Sequence, residues 1–90
     1  MTFAKTLAIA PDVMARQVGD ETVLLHLASG GYFGLDAVGS RFWQLLGERR
    51  PFPEIVDVML AEYDVRREDL ERDLGRLIDE LLKQSLVGEA

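Results

Sequence analysis

Asp36 separates two hydrophobic periods, and that change of period constrains the fold more than any other feature. It lies inside residues 30–46, GGYFGLDAVGSRFWQLL, where a short aromatic strand pattern runs straight into an aromatic helix pattern. Before it, the signals are period-2 alternation and tight turns. Residues 13–18 (VMARQV) alternate, Gly19-Asp20 is a hairpin-type pair, 22–28 (TVLLHLA) suits a central strand, and Ser29 to Gly31 turn into a third strand, YFGL. After it, the spacing is helical. Asp36 is a good N-cap for a helix over 37–46, with Val38, Phe42, Leu45 and Leu46 on one face, Trp43 beside them and Gly47 at C′. Pro53 at a first helical position opens a second helix over 53–63, with Ile55, Val56, Met59, Leu60 and Tyr63 as its apolar face. A third helix spans 68–84 with a stripe of Leu70, Leu74, Leu77, Ile78, Leu81 and Leu82. Strands followed by helices predict an α+β domain: a three-stranded antiparallel sheet over about 13–35, then three helices over about 37–84. The opening TLAIA suits one more short strand, and Leu86 and Val87 a last apolar contact.

Ninety residues form one domain, 1–90, near the lower limit for a core without disulfides, and the chain has no cysteine to supply any. The absent thiol also excludes cysteine nucleophiles and cysteine metal sites. A net charge of −6, with Arg49-Arg50 and Arg66-Arg67 as isolated basic pairs, argues against nucleic acid as a partner. No apolar run reaches the roughly 18 residues of a membrane span, and the N-terminal apolar run is too short for a signal segment, which makes the cytoplasm the expected location.

No catalytic constellation emerges. His26 is the only histidine and stands in an apolar strand, the pattern of a structural residue rather than of a metal site or triad. The carboxylates of helix three, Glu68, Asp69, Glu71, Asp73, Asp79 and Glu80, alternate with Arg66, Arg67, Arg72, Arg76 and Lys83. Spacings such as Asp69–Arg72, Asp73–Arg76 and Asp79–Lys83 describe a solvated, ion-paired face. GGYFG lacks the Gly-Lys-Ser/Thr of a phosphate loop, and Tyr32 and Phe33 occupy the space a phosphate would need. Gly30 and Gly31 belong to a turn. Gly34, inside a strand, calls for a bulge or the close approach of another backbone. Gly39 suits tight packing of helix one on a neighbour, and Trp43 a place in the core. What remains is an edge strand with unpaired backbone groups that a peptide can complete.

These residues resemble the signature of the family of PQQ synthesis protein D, roughly Gly-x-Tyr-x-x-Leu-Asn/Asp-x-x-Gly-x-x-Ile/Phe-Trp-x-x-Leu. The matching positions are Gly30, Tyr32, Leu35, Asp36, Gly39, Phe42, Trp43 and Leu46, and the likeness extends over about 13–87. Arg66 departs from the small polar cap usual before helix three, and GERRPFP is unusually proline-rich. The resemblance implies a non-catalytic, winged-helix-like recognition element, without cofactor or metal. Such an element binds the leader segment of a ribosomally made precursor peptide and presents it to modifying enzymes. In that family the leader adds as an antiparallel strand to the third strand and lies against the third helix. Carried over, Tyr32, Phe33, Gly34 and Leu35 form the pairing edge. Asp69, Leu70, Asp73, Leu74, Arg76 and Leu77 form the helical side, with apolar anchors over Leu70, Leu74 and Leu77 and leader carboxylates meeting Arg72 or Arg76.

Two settings follow from the resemblance. In lasso-peptide biosynthesis, the expected one, the partners are a leader peptidase and a cyclase, and the leader carries Tyr-x-x-Pro. In PQQ biosynthesis the partner is a radical SAM enzyme. The expected assembly is a monomer or weak homodimer. The reading from another class is a winged-helix DNA-binding regulator, which requires a basic recognition helix where this chain has an acidic one.

Overall fold

The computed structural model describes residues 7–89. Its elements are β1 (Leu7–Ile9), β2 (Val13–Val18), β3 (Glu21–His26), β4 (Tyr32–Leu35), α1 (Ala37–Gly47), α2 (Phe52–Glu62), α3 (Arg67–Lys83) and β5 (Val87–Glu89). β2, β3 and β4 form an antiparallel sheet in that order, with the three helices after it. β1 corresponds to the opening strand TLAIA without Ala10, which follows the strand, and without Thr6, which lies outside the described residues. It pairs antiparallel with β5, Leu7 opposite Glu89 and Ile9 opposite Val87. Val87 is therefore a strand residue as well as an apolar contact. No helix of the described residues is long and apolar enough to cross a membrane.

The sheet has one covered and one open face. Leu24 and Leu35 are buried with Phe42, Trp43, Leu45 and Leu46 of α1, with Ile55, Val56 and Met59 of α2, and with Leu70, Leu74, Ile78 and Leu81 of α3. Period 2 sends Val23, Leu25, Met14 and Tyr32 to the other side of the same strands, which no helix of the described residues covers. One polar link crosses the core: the Thr22 hydroxyl donates to Ser40 Oγ at 2.7 Å, and the Ser40 hydroxyl donates to the Leu35 carbonyl at 3.5 Å. It fastens β3 and α1 to the end of β4. Thr22→Val is expected to cost about 1–2 kcal/mol, seen as a lower thermal midpoint. Adding Ser40→Ala costs less than the sum of the two single changes, because the pair shares one hydrogen bond.

Several boundaries differ from the sequence expectation. The second strand stops at His26 instead of Ala28, because the His26 carbonyl accepts from Gly30 N–H at 2.8 Å and turns the chain. α1 includes Gly47. Glu48 and Arg49 then donate to the Leu45 and Leu46 carbonyls at 3.1 and 2.9 Å, so the left-handed position falls on Arg49 (φ 62°), not on Gly47. Pro51 rather than Pro53 sets the start of α2. Its carbonyl accepts from Glu54 and Ile55, and Pro53 falls inside the first turn, where a missing N–H costs nothing. Tyr63 is the residue after α2 and Gln84 the residue after α3. α3 begins at Arg67, its N-cap Arg66 making no side-chain cap bond, and Glu68 and Asp69 in the first turn complement the helix dipole instead. Asp73 lies 3.9 Å from Arg72 Nε, a neighbour on its own helix other than the expected Arg76.

Arg41 of α1 grips Glu62 of α2 with two hydrogen bonds of 2.8 and 2.6 Å. The hydrogen bond from Arg41 holds the Glu62 carboxyl below its ordinary value, by an amount that opposing desolvation only partly offsets. A lowered carboxyl pKa stabilises the fold above the unfolded value, and the gain is lost as pH falls through the folded one. Glu62→Gln is therefore expected to lower the thermal midpoint slightly at neutral pH, the difference closing under acid conditions. The pair is exposed, so the effect is small.

Candidate functional site

A groove runs between β4 and α3. Phe33, Gly34 and Leu35 form one wall, Asp36, Val38 and Gly39 the floor at the strand–helix junction, and Asp73, Leu74 and Leu77 the other wall. The cavity holds about 480 Å³. The junction is tight because Asp36 Oδ1 accepts from Gly39 N–H at 2.8 Å. A Cβ on Gly39 would meet that oxygen at 3.3 Å and Leu35 Cδ2 at 3.4 Å. Gly39 thus serves both the capping turn of its own helix and the close packing of α1 on Leu35 of β4 that its position suggested.

The backbone of β4 alternates in what it presents. Residues 26 and 31 continue the register that pairs Thr22 with Leu35 and Leu24 with Phe33, and His26 N–H donates to the Gly31 carbonyl at 2.9 Å. In an antiparallel ladder hydrogen-bonded pairs alternate with non-bonded ones. Phe33 and Leu35 therefore direct N–H and C=O at β3, whereas Tyr32 and Gly34 direct theirs to the open edge. The register is continuous through Gly34, so it occupies no bulge. A Cβ there would meet nothing within 4 Å, so the fold itself does not require glycine at this place.

The side chains alternate the other way. Leu35 is buried and Phe33 half-buried on the helix side, while Tyr32 stands 74% exposed on the outer face. Of the residues expected at the site, the groove brings together Phe33, Gly34, Leu35, Asp73, Leu74 and Leu77. Tyr32 adjoins it through the edge. Leu70 is buried in the core; Asp69 pairs with Arg72 at 3.0 Å, and Arg76 is exposed away from the lining. Asp36, Val38 and Gly39 were not expected there. The signal for them is their place directly after the edge strand, and Val38, assigned by periodicity to the apolar face of its helix, is 37% exposed in the groove. The polar groups of the lining are carboxylates, Asp36 and Asp73, in a chain of net charge −6.

An α+β domain with an open strand edge above an apolar groove has the build of domains that take up a peptide as an added strand. This chain belongs to the family of coenzyme PQQ synthesis protein D (PqqD), which it matches over residues 21–87. Among solved structures it is similar to TbiB1 in complex with the TbiA(beta) leader peptide. The two are 49% identical, with a TM-score of 0.84 over 89% of this chain and 93% of that one. It is also similar to lasso peptide synthetase B1 complexed with the leader peptide, at 25% identity and a TM-score of 0.83, over 92% of this chain and 98% of that one. No curated protein sequence matches.

Proposed function

We propose that this chain is a non-catalytic module of lasso-peptide biosynthesis. It captures the leader segment of a precursor peptide as a fourth strand on β4 and presents it to a leader peptidase and a cyclase. The observation that carries the reading is the open backbone of Tyr32 and Gly34 beside a groove lined by Phe33, Leu35, Leu74 and Leu77. Main-chain bonds supply affinity with little demand on sequence, and the groove selects side chains. The likeness to two leader-peptide complexes supports the same reading. Tyr32, Phe33, Gly34 and Leu35 are the pairing strand, and Asp73, Leu74 and Leu77 the facing helix. Of the remaining helix-three residues, Leu70 belongs to the core, and Asp69 and Arg76 lie outside the groove lining. Nothing at this site favours nucleic acid: the groove is acidic, and α3 carries Glu68, Asp69, Glu71, Asp73, Asp79 and Glu80.

The test is a fluorescence-anisotropy titration of labelled TbiA(beta) leader peptide with the purified protein. Saturable binding that survives moderate salt is expected, and a duplex DNA of the same length gives no shift. A flat leader titration up to tens of micromolar protein overturns the reading.

A further inference from the structure

The outer face of the sheet carries apolar residues that no element of the described residues covers. Met14, Val23 and Tyr32 are 58, 37 and 74% exposed, and with Leu25 and Arg16 they line a shallow depression of about 650 Å³. This shelf lies on the side of β4 opposite the groove. It reaches the strand edge at one place without a side chain, because Arg16, Val23 and Gly34 form one row across the three strands.

An added strand places its side chains by the same alternation. Residues opposite Phe33 and Leu35 point inward, to the groove. The residue between them stands opposite Gly34 and points outward. It meets no Cβ on β4, and the next side chain in its row is the exposed Val23. Adjacent strands lie about 5 Å apart, so Val23 stands about 10 Å from that residue. A flat aromatic side chain spans this distance across a glycine; a small or branched one does not. An aromatic ring laid over a strand glycine also shields the backbone that the missing side chain leaves bare.

We propose that Gly34 and Val23, flanked by Tyr32, form a second side-chain subsite on the outer face. It takes a large aromatic residue from the peptide position opposite Gly34. The inference rests on strand addition at β4 and assigns a specificity element to the face away from the groove. The domain then grips its peptide from both sides of the sheet, and Gly34 is the opening that lets the outer grip reach Val23.

The test uses labelled TbiA(beta) leader peptide, with each position replaced in turn by Phe and by Ala, against the wild type and Gly34→Val. Gly34→Val keeps the outward N–H and has room for its side chain, so strand pairing stays available. At one position, Phe is expected to bind about fivefold more tightly than Ala to the wild type, and equally to Gly34→Val. Val23→Ser, whose fold is checked by its melting curve, is expected to remove the same preference. A wild type that binds the leader but shows no such position, or a preference that survives in both variants, overturns the subsite and leaves strand addition standing. Absence of leader binding by the wild type overturns both.

Discussion

Gly34→Pro is expected to abolish leader capture in a protein that remains folded, whereas Phe33→Pro is expected to damage the fold itself. The two positions are adjacent on β4, and their backbones face opposite ways. Proline at Gly34 deletes an N–H that points to the open edge, a change that edge strands tolerate. Proline at Phe33 deletes an N–H bonded to β3 and leaves the Leu24 carbonyl unpaired beside a fully buried side chain, at a cost of about 1–3 kcal/mol. Melting curves and leader titrations on both variants separate these effects. An unchanged leader affinity in folded Gly34→Pro would place the peptide elsewhere.

Phe42→Ala is expected to cost about 3–5 kcal/mol, a large share of the roughly 5–15 kcal/mol available to a single domain. The ring is fully buried in the core cluster, and the chain has no disulfide to hold the remainder. Trp43 beside it is 8% exposed, so its emission reports the outcome directly. At ambient temperature the variant should show a red-shifted, broadened melt, and leader binding should fall with the folded fraction. A melting curve within a few degrees of the wild type would mean that the core repacks around the loss.

The sequence made the elements legible where local physics decides. The change of period at Asp36, the hairpin signal at Gly19-Asp20 and the leucine stripe of α3 all correspond to the structure. Helix ends were legible only in part. In GERRPFP two prolines compete to start α2, and Pro51 prevails because its carbonyl can accept while both missing N–H groups fall where no partner exists. The β1–β5 pair was half legible. VGE is too short to show alternation, and its partner lies some eighty residues away, where only the closed core brings the two together. The groove depended on the same long-range information. Spacing places Asp69, Asp73 and Arg76 along one side of the α3 stripe, but packing decides that Asp73, Leu74 and Leu77 face β4 while Leu70 turns inward. The alternation of Tyr32 and Gly34 against Phe33 and Leu35 was available from period 2 alone, once one of the four was known to be buried.

The four-residue length of β4 has a consequence for how a guest peptide is measured out. An edge with two outward-facing residues is indifferent to translation by two: a strand that slips that far recovers every backbone bond and keeps each side chain on its original face. A slip of one exchanges the faces and brings polar and apolar positions to the wrong sides. The backbone thus fixes the phase of the guest but not its position along the edge. In the proposed strand addition, where the peptide stops is left to side chains seated beside Leu74 and Leu77, and so the distance from the docked segment to the bond an enzyme must reach is set by a ruler whose zero mark lies in the groove.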